Sequence, residues 1–186
     1  KYHWLSESML KQAINQDKNL YCRDDLPIVT IYDDNWFLRN DYDVLSPGQR
    51  NYLINFFKKK DFVQTSGKIL TKGEVTITLP RPQQNLAISA YQTSFIEFSE
   101  TEIFCVTPTQ FAEALFYRAV RQGDSQETLI SQLKELIGTC PYNIEWLRDI
   151  SYHSAIEQLT LDTYALLTAF QKETIELKFK RKKSLR

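Results

Sequence analysis

Ile69-Leu70-Thr71-Lys72-Gly73-Glu74-Val75-Thr76-Ile77-Thr78-Leu79 organises the rest of the chain around it. The period shifts toward two here: Val75-Thr76-Ile77-Thr78-Leu79 alternates after Lys72-Gly73, and the apolar pair Ile69-Leu70 precedes it. That is the pattern of two half-buried strands joined by a tight turn. Pro80-Arg81-Pro82 then breaks the run. Leu86-Ala87-Ile88-Ser89-Ala90-Tyr91, Ser94-Phe95-Ile96-Glu97-Phe98 and Ile103-Phe104-Cys105-Val106 read as further strands, with a turn at Ser99-Glu100. Short strands joined by short turns predict an antiparallel meander.

Upstream of the hairpin, Ser46-Pro47-Gly48 opens a helix with a hydroxyl cap and proline at the first helical position. Tyr52, Leu53, Phe56 and Phe57 form its apolar stripe, and Lys58, Lys59 and Lys60 fall at its end, where cations favour the helix dipole. Further back, Pro27-Ile28-Val29-Thr30-Ile31-Tyr32 is rich in β-branched residues and reads as a strand. Asp33-Asp34-Asn35 then makes a turn, with Trp36-Phe37-Leu38 as a partner strand. Near the start, Ser6 caps a short helix carrying Leu5, Met9, Leu10, Ala13 and Ile14 at helical spacing.

Downstream the period lengthens. Thr107-Pro108-Thr109-Gln110 is a capping box followed by Phe111, Leu115, Phe116 and Ala119, with Gly123 as the stop. Asp124 with Glu127 predicts a second helix start, with Leu129, Ile130, Leu133, Leu136 and Ile137 on its apolar side and Gly138 as its end. Asn143 caps a third helical region through Trp146, Leu147 and Ile150, broken near Thr160 and resuming to Phe170. Ile175, Leu177 and Phe179 alternate with Glu176, Lys178 and Lys180, which predicts a final strand. The expected class is α+β: a largely antiparallel sheet packed on one face by helices that concentrate in the C-terminal half. Residues 1–179 are expected to form a single globular domain and 180–186 a basic tail.

Composition narrows the function. The chain has 186 residues, 42% hydrophobic, with 23 basic and 23 acidic side chains and no net charge. It is too apolar for a disordered chain and lacks the global positive charge of many nucleic-acid binders. No apolar run approaches the roughly 18 residues of a membrane span. Cys22, Cys105 and Cys140 are odd in number and widely spaced, so neither a disulfide framework nor a zinc site is expected. No signal-peptide pattern opens the chain, and reduced thiols in the cytoplasm are the expectation. The five glycines are too dispersed for a phosphate or dinucleotide loop. No cofactor or metal is expected.

Four groups of residues could carry chemistry or binding. Asp33 and Asp34 follow a predicted strand, where carboxylates can hold magnesium, although turn chemistry explains them as well. Glu176 and Lys178, two apart on one face of a strand, would complete a metal-dependent phosphodiesterase or nuclease site, the Glu on metal and the Lys orienting water. A solvated charge pair is the simpler explanation. His3 and His153 lack a nearby nucleophile motif and point to no reaction. The third group is basic. Seven basic residues from Lys172 to Arg186 face two acidic ones, a local charge of plus five that the rest of the chain offsets with minus five. Lys178, Lys180, Arg181, Lys182, Lys183 and Arg186 could therefore bind nucleic acid or an acidic partner. The fourth is the aromatic set Tyr32, Trp36 and Phe37, which would bind a partner if exposed and build core if not.

These residues favour a non-catalytic intracellular interaction protein: an adaptor, complex subunit or regulatory domain. A nucleic-acid-associated protein and a metal-dependent phosphodiesterase or nuclease are the alternatives.

Overall fold

Two capping boxes set the first fixed points. In this computed structural model, which describes residues 9–32, 45–80, 89–150 and 154–178, Ser46 Oγ accepts from the Gln49 amide at 3.1 Å. The Gln49 side chain in turn accepts from the Ser46 amide at 3.1 Å. Thr107 and Gln110 repeat the exchange at 3.2 and 2.9 Å. Both helices carry proline at the start, where a missing amide hydrogen costs nothing. The elements in chain order are α1 (Met9–Gln16), β1 (Leu20–Cys22), β2 (Ile28–Ile31), α2 (Pro47–Lys58), β3 (Val63–Ser66), β4 (Ile69–Lys72), β5 (Val75–Thr78), a 3-10 turn (Thr93–Phe95), β6 (Glu102–Val106), α3 (Pro108–Gln122), α4 (Gln126–Thr139), α5 (Ile144–Asp149) and α6 (Ser154–Lys178).

The class is α+β, with its helices concentrated after β6, as the sequence predicts. The sheet, however, is mixed, in the order β1-β2-β6-β5-β4-β3. β6 sits between β2 and β5 and runs parallel to both, with Val29 opposite Cys105 and Ile77 opposite Ile103. Only the flanking pairs β1–β2, β3–β4 and β4–β5 are antiparallel. The expected meander fails in the connection from β5 to β6. Residues 94–98 are not a strand: Thr93–Phe95 is a 3-10 turn, Phe95 is buried against Phe104 at 5.5 Å, and Phe98 is 63% exposed. Aromatic and β-branched residues report burial as much as strand, and here Phe95 plugs the core from a turn.

A second correction concerns the helices, which cover both faces. Tyr21, Ile28, Tyr32 and Val106 point into a core shared with α3 to α6. Leu20, Cys22, Val29, Ile31, Ile103 and Cys105 point into a second core with Ile14 of α1 and Leu53, Ile54 and Phe57 of α2. Strands buried on both faces read as continuous apolar runs, as Ile28–Tyr32 and Ile103–Val106 do.

Local differences have local causes. Ser125, not Asp124, caps α4 by accepting from the Thr128 amide at 3.1 Å. Gly138 does not end that helix, which continues to Thr139. Gly123 does end α3, in the left-handed conformation at φ 67°. The helix does not break near Thr160: α5 ends at Asp149 with Ile150 extended, and Thr160 lies buried inside α6. Residues 175–178 are the last turn of α6, not a strand. Ile156, Thr160, Thr163, Leu167 and Gln171 are its buried seam, and Ile175 continues that seam while Leu177 stands 78% exposed. Helix packing, not alternation, governs this segment. Gln171 binds the chain between α4 and α5, donating to the Tyr142 carbonyl at 2.7 Å and accepting from its amide at 3.0 Å. Among the described residues, no helix is long and apolar enough to cross a membrane.

Candidate interaction surface

The outer end of the sheet is built by the exit of α2. Lys60 and Asp61 amides return to the Phe57 and Lys58 carbonyls at 2.9 and 3.1 Å, and the Phe62 amide reaches Phe57 at 3.1 Å. Asp61 adopts φ 71°, a left-handed conformation that aspartate tolerates better than most residues, and this turns the chain into β3. Phe62 drops into the core, its ring 5.6 Å from that of Phe57. The lysines around the turn are ordered by aromatic faces. Lys60 Nζ lies 6.0 Å from the Phe56 ring, and Lys72 Nζ lies 5.8 Å from the Phe62 ring. Such contacts hold an ammonium without neutralising it. Lys72 also donates to the Lys60 carbonyl at 3.0 Å. Arg50 of α2 clamps the neighbouring turn by donating to the Gly67 and Pro80 carbonyls.

Among the described residues, β3 is hydrogen-bonded to a strand on one side only, that of β4. Among the described residues no strand pairs with its outer edge, and such an edge presents main-chain donors and acceptors. Val63 is 63% exposed, and Gln64, Thr65 and Ser66 present uncharged polar side chains. The register slips between Gln64 and Ser66, leaving Thr65 as a bulge that twists the edge. Lys58, Phe62, Val63, Gln64, Thr65 and Ser66 line an open groove of about 520 Å³. Between residues 50 and 74 lie six basic side chains (Arg50, Lys58, Lys59, Lys60, Lys68, Lys72) against Asp61 and Glu74.

A second polar cluster lies at the other end of the sheet, built around the buried Arg118. Arg118 of α3 is 3% exposed and places Nη1 2.7 Å from Asp25 Oδ2. Arg23 contacts the same carboxylate through Nε at 3.0 Å and Nη2 at 3.3 Å. Tyr21 donates to Glu135 of α4 at 2.8 Å. Burial alone would raise the Asp25 carboxyl. The Arg23 hydrogen bond and the charges of Arg118 and Arg23 outweigh it and hold the group below its ordinary value. Burial and Glu135 push the Tyr21 hydroxyl up, against the hydrogen bond from Arg23. Here opposite charges meet one another and tie the β1–β2 turn to α3 and α4, which is structural work.

The predicted site residues fare differently. Asp33, Asp34, Trp36, Phe37, Lys180, Arg181, Lys182, Lys183 and Arg186 lie outside the described residues, as do His3 and His153. Glu176 and Lys178 sit in α6, where residues two apart point about 200° from each other. They do not share the strand face on which the nuclease reading placed them. Lys178 instead donates to the Gly138 carbonyl at the end of α4. Tyr32 is 3% exposed within the α3–α6 core, so it offers no surface to a partner. All three cysteines are buried and in no disulfide, and burial pushes the Cys105 thiol up to about 12. Among the described residues, no group of three His, Cys, Asp or Glu is placed to hold a metal ion.

The β3 edge is absent from the sequence reading. Val63-Gln64-Thr65-Ser66 is short and mostly polar, and the three lysines before it have a sufficient explanation as helix-end charges. The available signal was their proximity in sequence to Lys68 and Lys72. No protein-family model matches the chain, and no curated protein or solved structure is significantly similar to it.

Proposed function

We propose that this is a non-catalytic interaction protein, an adaptor, complex subunit or regulatory domain, that receives a partner protein along β3. One observation carries the reading: an exposed strand, hydrogen-bonded on one side among the described residues, borders an open groove of about 520 Å³. An extended segment added to such an edge gains main-chain hydrogen bonds and seats alternate side chains in the groove. Buried thiols that form no disulfide support a reducing, cytoplasmic setting.

The test is selection of 12-residue peptides from a random displayed library, followed by amide hydrogen exchange of the protein with each selected peptide. Protection concentrated at Val63–Ser66 is expected. Protection confined to another surface, or no selected binder, refutes the reading. Tight binding of an oligonucleotide that is lost on deleting residues 180–186 replaces it with the nucleic-acid reading.

A further inference from the structure

We infer that the segment received by β3 is acidic: an extended stretch of a partner protein in which carboxylates alternate with apolar side chains. This deepens the docking reading above and rests on it.

The strand itself is uncharged from Val63 to Ser66, so the sign of the field along the edge is set by its rim. On the α2 side stand Lys58 and Lys59, both exposed, with Lys60 beside them. Exposed Lys68 in the β3–β4 turn and Lys72 at the end of β4 add positive charge on the paired side of β3, while Lys58 itself lines the groove. Two of these ammoniums are already positioned over rings, so less side-chain freedom is lost when a carboxylate arrives. Asp61 and Glu74 offset only part of this charge. Val63, 63% exposed, is the apolar contact at the head of the strand. It calls for an apolar side chain between the acids, the period-two pattern of an added strand.

Charge also decides between occupants. A second copy of this chain pairing edge to edge would bring two basic rims together, and like charges oppose that contact. An acidic strand meets attraction where another copy meets repulsion. A single-stranded nucleic acid would also be drawn to the lysines, but it gains affinity by stacking bases on open aromatic faces. The rings at this rim, Phe56 and Phe62, each carry a lysine ammonium, and Phe62 is buried. The row of main-chain groups on β3 fits a peptide instead.

The probes are acetylated seven-residue peptides of alternating Glu-Val, Ser-Val and Lys-Val, and a 12-nucleotide oligothymidylate. Binding is measured by fluorescence anisotropy in 50 and 500 mM salt, with hydrogen exchange at Val63–Ser66. At low salt the Glu-Val peptide should bind about fivefold or more tighter than Ser-Val, from several exposed ion pairs acting together. The gap should close at high salt, where the Debye length falls to roughly 4–5 Å. Lys58→Gln/Lys59→Gln should narrow the gap at low salt, and Lys68→Gln should do so independently from the β3–β4 turn. Equal binding of Glu-Val and Ser-Val with β3 protected would refute the acidic partner and leave the docking reading intact. No protection of β3 by any peptide refutes both. Oligothymidylate binding tighter than Glu-Val, through the same lysines, overturns the proposal in favour of a nucleic acid.

Discussion

Arg118 and Asp25 meet at 2.7 Å between α3 and the β1–β2 turn, and the arginine is almost fully buried while the aspartate side chain is 40% exposed. The two residues lie far apart in sequence and join the helical layer to the sheet. Among the described residues, no hydrogen-bond partner reaches the buried Arg118 Nε. The asymmetry has a consequence for mutation. Asp25→Ala leaves a buried guanidinium without its nearest counter-ion and should cost about 1–3 kcal/mol, the cost of breaking a buried pair discounted for the exposure of Asp25. Arg118→Met removes the buried charge along with that Nε donor and should cost less. Urea denaturation midpoints for the two variants check the order, and a larger loss in Arg118→Met would contradict it.

The same pair predicts a pH dependence. The Asp25 carboxyl is held below its ordinary value in the folded protein. Its contribution is therefore fully present above the unfolded value of about 3.9 and is lost as pH falls through the lower folded value. The stability difference between the native protein and Asp25→Asn should be constant from about pH 5 upward and shrink below about pH 4. Urea midpoints at pH 7, 5, 4 and 3 measure it. A difference that grows on acidification would be the wrong sign.

Two glycines should respond in opposite directions. Gly123 sits at φ 67°, so Gly123→Ala forces a side chain into the left-handed region and should destabilise by about 1–2 kcal/mol. Gly138 lies inside α4, and a Cβ there meets nothing within 4 Å. Gly138→Ala should stabilise by about 0.5–1 kcal/mol through helix propensity. Thermal melts decide the matter, and destabilisation by Gly138→Ala would mean that α4 ends at that residue.

Gln171 offers a third stability test. Its amide satisfies both main-chain groups of Tyr142 in a buried site. Gln171→Leu keeps the volume and strands both groups, which should cost about 2–4 kcal/mol. A loss under about 0.5 kcal/mol in chemical denaturation would mean that the two groups find other partners.

Thiol chemistry should report folding, not activity. Cys22, Cys105 and Cys140 are all buried. Burial raises the Cys105 thiol to about 12 and pushes Cys140 up as well. Since the thiolate is the reactive form, a disulfide reagent at pH 8 should label the native protein slowly and all three thiols rapidly in guanidinium. Fast labelling of Cys105 or Cys140 under native conditions would count against this core.

The beginnings of α2 and α3 were readable from the residues because a cap is a local device. Ser46 reaches Gln49 and Thr107 reaches Gln110 across three positions, and the identities at those positions suffice. The Lys72-Gly73 hairpin was readable for the same reason, with Gly73 at φ 59°. The placement of β6 between β2 and β5 was not. It pairs Val29 with Cys105, and nothing in either segment's own alternation says which distant strand it will adopt. Alternation at 175–178 was likewise ambiguous until α4 and the core settled which residues faced inward. The β3 edge became a candidate surface only once the order of the sheet left it outermost among the described strands. Capping and turn preferences act over a few residues, whereas strand order and exposure follow from burying apolar faces contributed by the whole chain.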